Sequence, residues 1–246
     1  MRLTAELINN SLSYLNPLKE RELDLRGHKI PAVENLGAAR DQESIDFTDN
    51  DLSTLTNFPQ SPRLQTLLCA RNRIQRIEPN LVKSAPALNT LVLTQNHVAE
   101  LADLEVLRGF KKLTFLSLVD NPVTSKEHYR YWILYLAPQI RFLDFQKVKD
   151  SERSKAKEIF GTHEAPTELA QNILAASANK SMTYRAPLTN GTSSHKRVKL
   201  NDRERARVEA LIRNAKSLPE VAKLEKDISE GRIPPGVMDG DDMDET

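Results

Sequence analysis

An eleven-residue pattern that recurs every 22 to 25 residues constrains what the first half of this chain can fold into. The pattern is clearest over residues 64–74, 88–98 and 113–123, and weaker copies begin at Glu20 and Gln42. Apolar residues fill positions four, six and eleven of the clear copies, and five copies in phase indicate one structural unit repeated five times. Position nine is occupied in turn by His28, Asn50, Asn72, Asn96 and Asn121.

The spacing L-x-x-L-x-L-x-x-N-x-L is that of a leucine-rich repeat, in which a short strand leads into a turn and a returning segment. Side chains alternate along a strand, so the leucines point into the protein and the residues between them point outward. One repeat cannot bury its own apolar face, and neighbouring repeats must stack. The pattern therefore predicts an α/β leucine-rich-repeat solenoid of five repeats plus a C-terminal cap, with a parallel β-sheet on its concave face.

Both ends of a solenoid need caps, and the sequence on either side of the repeats supplies them. Residues 1–19, with Thr4 as a helix N-cap, predict an N-terminal cap ahead of repeats over 20–123. Residues 124–160 predict a C-terminal cap and a basic helix. Within them, Thr124 and Glu127 have the spacing of a capping box, and HYRYWILYLAP predicts a helix that ends before Pro138. IRFLDF then predicts a last strand.

The sequence changes character beyond residue 160. Residues 161–201 are rich in Ser, Thr, Asn and Ala, and they predict a mostly disordered linker with a helical turn near 167–176. Residues 202–236 predict short amphipathic helices that dock a partner, and residues 237–246 form an acidic tail. The linker also contains a basic cluster of nuclear-localisation type, formed by Lys196, Arg197 and Lys199.

The composition of the chain argues against several classes of protein, including secreted, membrane-spanning and catalytic ones. Cys69 is the only cysteine, so an intramolecular disulfide is impossible, which fits a reducing compartment. The sequence has no apolar run of membrane-spanning length and no signal-peptide profile, and we expect a soluble intracellular protein. The five histidines lack metal-ligand spacing, and no phosphate loop or nucleophile motif occurs. We therefore expect a non-enzyme with no catalytic residue, metal or cofactor.

The outward strand positions are where function is expected, because the inward leucines form the core. The first two strands present carboxylates there, whereas the later strands present apolar groups. An apolar centre with an acidic flank suits an amphipathic helix that carries Lys or Arg on one side. The alternative is a scatter of exposed apolar residues, which is ordinary. The predicted partner-binding residues are Glu22, Asp24, Arg26, Asp46, Leu68, Arg71, Val92, Phe115 and Val119.

A basic stretch after the repeats is the best candidate for RNA contact, because Lys and Arg side chains neutralise phosphates and give salt-sensitive affinity. Aromatic residues are scarce within it, so we expect contact with the RNA backbone and no base recognition. A solvated helix face is the alternative interpretation. The candidate residues are Arg141, Lys147, Lys149, Arg153 and Lys155.

Four strings in the sequence resemble one known family. They are RELDLRGHKIP from Arg21, NPVTSKEHYR from Asn121, RFLDFQKVK from Arg141 and SLPEVAKLEKDISEGRIPPG from Ser217. They resemble the A-prime proteins of the U2 small nuclear ribonucleoprotein, over residues 1–160 and again over about 203–236. The resemblance is specific because it extends well beyond the repeat motif itself.

The resemblance implies a nuclear scaffold of the spliceosome that acts in pre-mRNA splicing. Members pair with an RNA-recognition-motif protein, B-double-prime, and the two together bind a stem-loop of U2 small nuclear RNA. It also implies that the concave sheet holds a helix of that partner. From the sequence we further expect the C-terminal helices to dock other spliceosomal proteins.

Two other classes share this repeat. A leucine-rich-repeat regulatory subunit of a protein phosphatase would have a similar cap, but it should contain more repeats and no basic linker. An acidic leucine-rich nuclear phosphoprotein acting on histones should end in a long acidic tail, whereas only five acidic residues close this chain.

Overall fold

The computed structural model describes residues 1–183, and the predicted solenoid is present there. One eight-stranded sheet runs through it in the order β1-β2-β3-β5-β7-β8-β9-β10. The five repeats contribute β2, β3, β5, β7 and β8, which pair in parallel, and β8 continues in parallel to β9 of the cap. The strand bounds are β1 Ser13–Leu15, β2 Arg21–Asp24, β3 Ser44–Asp46, β4 Thr54–Leu55, β5 Thr66–Leu68, β6 Arg76–Ile77, β7 Thr90–Val92, β8 Phe115–Ser117, β9 Phe142–Leu143 and β10 Gln146–Lys147.

The returning segments are short, as their prolines and lengths predict. They contain 3-10 helices at Leu36–Ala39, Leu101–Gly109 and Pro122–Ser125, the helix α2 at Asn80–Ser84, and a second small sheet of β4 and β6. The remaining α-helices are α1 Ala5–Asn10, α3 Tyr129–Leu136, α4 Asp150–Phe160 and α5 Glu168–Thr183. In the described part of the chain, no helix combines the length and apolar character needed to cross a bilayer.

A ladder of buried asparagines joins consecutive repeats. The side-chain Oδ1 of Asn72 accepts a hydrogen bond from the Leu52 N–H (3.0 Å), and its Nδ2 donates to the Phe47 carbonyl of the preceding repeat (2.9 Å) and to the Cys69 carbonyl of its own (3.2 Å). Asn50, Asn96 and Asn121 make the same set of bonds. The first repeat has no repeat before it to join, which explains why His28 is acceptable at this position.

Residues 1–19, the predicted N-terminal cap, contain α1 and β1. The Thr4 hydroxyl accepts a hydrogen bond from the Leu7 N–H at 3.1 Å and begins α1. Leu3 and Ile8 are buried against the first repeat, and β1 pairs antiparallel with β2. This antiparallel strand ends the parallel series at this side of the sheet.

The C-terminal cap is helical and aromatic, as predicted, but its helix begins differently. Thr124 lies in a 3-10 turn and its hydroxyl donates to the Asn121 carbonyl, so the expected capping box with Glu127 does not form. The helix α3 starts instead after His128, whose φ is 59°. Trp132 is fully buried and its Nε1 donates to the Leu101 carbonyl at 2.8 Å, which ties the cap to the last repeats.

The predicted linker over 161–201 included a helical turn near 167–176, and the structure has the longer helix α5 over 168–183 there. Thr167 begins the helix, with its hydroxyl accepting from the Ala170 N–H and donating to the Ile159 carbonyl. Ala170 is fully buried, and Ile173 and Leu174 pack against the same core. The helix therefore extends the cap across the 3-10 segment at 101–109. The rest of the linker, the basic cluster, the docking module and the acidic tail lie outside the described residues.

Candidate interaction surface

Three rows of side chains cross the concave sheet because its strands are in register. The first row contains Glu22, Ser44, Thr66, Thr90, Phe115 and Phe142, and the second contains Asp24, Asp46, Leu68, Val92 and Ser117. The third follows the strand ends, from Thr48 through Ala70 and Thr94 to Val119. Adjacent strands lie about 4.8 Å apart, so neighbours in one row form a continuous surface.

The N-terminal end of this surface is acidic, but Glu22 is not presented to a partner. Its side chain is buried and accepts hydrogen bonds from the Tyr14 hydroxyl (2.6 Å), the Asn16 amide (3.0 Å) and the Ser44 hydroxyl (2.9 Å). Burial alone would raise the pKa of Glu22, but these bonds outweigh it and hold the pKa below its usual value. Glu22 therefore fixes the N-terminal cap onto the sheet, through contacts that the repeat pattern does not specify.

Two more carboxylates surround Arg26 at this end. Its guanidinium donates to Asp24 at 2.5 Å and lies 3.6 Å from the Asp46 carboxylate. The hydrogen bond from Arg26 lowers the pKa of Asp24, whereas burial raises the pKa of Asp46 despite its bonds from Thr48. Arg26 itself is half exposed and available to a partner. Arg71 lies on the rim, 3.9 Å from Asp49, outside the three rows.

The centre of the sheet carries the predicted apolar groups. Leu68 and Val92 are neighbours in the second row, and Phe115 and Val119 continue the surface toward the C-terminal end. All four are half-buried within the isolated chain. We call these four residues the apolar strip; they lie on one face of the sheet, on the adjacent strands β5, β7 and β8 and just after β8, and this grouping favours a contact surface.

The strip extends further than the repeat pattern indicates. Phe142 lies beside Phe115 in the first row and is 43% exposed, and Phe145 follows it in the next turn at 65% exposure. Sequence reasoning missed both. The position of Phe142 could have been predicted, because Phe142 and Leu143 in the last strand continue the outward-inward alternation of the repeats.

Four of the five predicted RNA-contact residues fall into two groups. Arg141, Lys147 and Lys149 are exposed at the β9–β10 end of the sheet, and in the described part of the chain none of their side chains forms an ion pair, although the Lys149 backbone N–H donates to the Glu152 carboxylate at 2.7 Å. Arg153 instead donates to the carbonyls of Pro138 and Ile140, and so holds α4 against the cap.

Lys155 belongs with neither group. Its ammonium lies 5.3 Å from the centre of the Tyr131 ring on α3, so it is placed to form a cation–π contact within the cap. The structure therefore brings three of the five predicted cations together at the end of the concave sheet.

Comparisons with known proteins agree with this architecture. A model of a leucine-rich-repeat family matches residues 1–174. "U2 small nuclear ribonucleoprotein A'" of Neurospora crassa is 57% identical, covering 98% of both chains, and that of Homo sapiens is 43% identical, covering 95% of this chain and 90% of the relative. In a crystal structure of the Drosophila melanogaster SNF/U2A' complex, a matching chain is 48% identical with a TM-score of 0.66, covering 72% of this chain and 99% of that one.

Proposed function

We infer the function from the premise that this chain belongs to the U2 small nuclear ribonucleoprotein A' family, whose members are leucine-rich-repeat subunits of the splicing machinery. On this basis its concave sheet binds the RNA-recognition-motif protein B-double-prime. The complex then binds a stem-loop of U2 small nuclear RNA. The relative of known structure was solved in complex with SNF, which supports a protein partner for this chain too.

The observation that carries the proposal is the apolar strip of Leu68, Val92, Phe115 and Val119 on the concave sheet. An amphipathic helix laid across it would bury these groups, while its own Lys or Arg side chains would reach Asp24; Asp46, also predicted to bind the partner, is buried beside Arg26. Such a helix gains apolar burial in the centre and charge complementarity at one end, which sets its direction.

Leu68→Arg and Val92→Asp test this arrangement in the full-length chain. Each places a charge in the centre of the strip, where loss of a hot spot weakens binding by at least about 30-fold, or about 2 kcal/mol. Gln75→Arg and Ser53→Asp are the matched controls, because both positions are exposed and lie outside the concave sheet. Affinity for the partner is measured by calorimetry, and unchanged affinity in either concave variant contradicts the proposal.

In this proposal the RNA phosphates are contacted by Arg141, Lys147 and Lys149, next to the partner, which recognises the RNA loop. Replacing Lys147 with Ala should then lower the slope of log affinity against log salt by about 0.7 to 0.9 for each phosphate that its ammonium neutralises. The measurement compares the RNA affinity of the heterodimer at several salt concentrations. An identical slope in the variant shows that Lys147 does not contact RNA.

The nucleus is the proposed location, as membership of a U2 particle implies. We assign nuclear import to the basic cluster of Lys196, Arg197 and Lys199, and docking of other spliceosomal proteins to residues 202–236. Replacing the three cationic residues with Ala in a fluorescent fusion should leave the protein in the cytoplasm. Nuclear accumulation of that variant contradicts the assignment of the cluster.

A further inference from the structure

The hairpin between β9 and β10 has an unusual residue in its turn. Asp144 and Phe145 connect the strands with φ values of 53° and 61°, and Leu143 pairs with Gln146 across them. Two successive positive φ values are those of a type I′ turn, in which Asn-Gly or Asp-Gly is strongly preferred. A bulky side chain in the left-handed region is strained, so phenylalanine is a costly choice where glycine would fit.

Most of the Phe145 ring lies in solvent. The ring is 65% exposed, and its aromatic neighbour among the described residues is Phe115, which it approaches edge-on with ring centres 5.7 Å apart. Phe142 lies beside the same Phe115 ring at 6.3 Å and is itself 43% exposed. Backbone strain that stability does not explain is a pointer to function, and here it holds an aromatic ring in solvent.

Asp144, which precedes Phe145, fixes the turn through hydrogen bonds to other parts of the protein. Its carboxylate accepts hydrogen bonds from the Leu118 N–H at 2.8 Å and from the Tyr129 hydroxyl at 2.9 Å. These bonds anchor the hairpin to the last repeat and to α3. The position of Phe145 is therefore preorganised, and binding a ligand there would require little ordering.

The charges around the two rings are positive. Arg141 precedes β9, Lys147 is the cross-strand neighbour of Phe142, and Lys149 follows β10. Of the nearby carboxylates, Asp144 is bonded as above and Glu152 pairs with Arg130 at 2.6 Å, whereas Asp150 is exposed beside Lys149 and lies 3.8 Å from Arg153. The carboxylates of the concave sheet lie at its other end, so an anionic ligand is favoured here.

We propose that Phe142 and Phe145 form a stacking platform for an unpaired RNA base, with the phosphates held by Arg141, Lys147 and Lys149. Exposed aromatic rings interleaved with free cations are what proteins use to bind single-stranded nucleic acid. The proposal rests on the function proposed above, in which RNA reaches this end of the sheet. It replaces the expectation, drawn from the sequence, that RNA contact is limited to the backbone.

Phe145→Gly is the appropriate test, because it removes the ring while giving the turn its preferred residue. The full-length variant should fold at least as stably as the wild type. Bound to its RNA-recognition-motif partner, it should bind a U2 stem-loop that has unpaired bases about 10-fold more weakly, as loss of one stacked base predicts. Phe145→Tyr retains a stacking ring and should restore wild-type affinity. A fully paired RNA of equal length should bind both variants like the wild type.

Three other results are distinguishable. Equal RNA affinity of Phe145→Gly and wild type refutes the platform alone. Weaker binding of the partner protein, with RNA affinity unchanged once the partner is saturating, assigns the rings to the protein interface and also refutes it. If the wild-type chain does not strengthen RNA binding by its partner at all, the proposed function and the platform both fail.

Discussion

Replacing Asn72 with alanine should destabilise the solenoid strongly, because this side chain joins two repeats in the middle of the sheet. The change removes the acceptor for the buried Leu52 N–H, whereas the Phe47 carbonyl keeps a second donor, the Asn50 amide at 2.9 Å. A buried polar group left without a partner costs about 1–3 kcal/mol. We therefore expect the free energy of unfolding to fall by about 1–3 kcal/mol.

Chemical denaturation of the full-length chain, followed by circular dichroism, measures this loss. Asn80→Ala is the matched control, since Asn80 is exposed at the first position of α2 and should change the stability by less than about 0.5 kcal/mol. If Asn72→Ala lost no more than Asn80→Ala, the asparagine ladder would not be what joins the repeats.

Three further variants test separate parts of the fold. Asp46→Asn should stabilise the protein at pH 7, because burial raises the pKa of the Asp46 carboxyl in the folded state and makes its charged form unfavourable there. The advantage of the variant should disappear as the pH falls and the wild-type carboxyl becomes protonated. Urea titrations at pH 7 and pH 4 measure this, and an equal effect at both pH values would contradict it. Ala170→Glu should cost about 2–4 kcal/mol, since it buries a charge where α5 meets the core, whereas Ala175→Glu at an exposed position of the same helix should cost almost nothing; thermal unfolding that does not distinguish the two would show that α5 is not packed. Arg153→Ala should lower the melting temperature without changing the salt dependence of RNA binding, and a reduced salt slope would instead make Arg153 a phosphate contact.

The repeats could be predicted from the sequence because each one is a local pattern with a fixed inward and outward alternation. That alternation alone predicts that Leu68, Val92 and Phe115 lie on the concave face. Position nine falls in the turn that follows each strand, and the structure shows that its asparagine side chain is buried there. Its bonds to the preceding repeat follow from stacking, which the 22- to 25-residue period requires.

The parts that could not be predicted depend on contacts between segments with different patterns. Glu22 was expected to face a partner, but the antiparallel β1 brings Tyr14 and Asn16 over it. Only a helical turn near 167–176 was predicted where α5 lies, because the apolar face of α5 is small and the surface that buries Ala170 is formed by the cap and the 3-10 segment at 101–109.

The hairpin of β9 and β10 in the C-terminal cap is the most important feature that was not predicted from the sequence. In the sequence, FLDF reads as the end of a strand, and nothing local indicates that Phe145 adopts a positive φ with its ring exposed. Only the pairing of β9 with β10 reveals it. Aromatic residues that looked scarce among the cations are therefore adjacent to them in the folded chain.

A pull-down from nuclear extract with the full-length chain, compared with its Leu68→Arg variant, tests the central claim most directly. Retained RNA is sequenced and retained proteins are identified. The wild type should retain U2 small nuclear RNA together with one RNA-recognition-motif protein, and the variant should lose both. Recovery of a phosphatase catalytic subunit without RNA, or equal recovery by Leu68→Arg, would contradict the account.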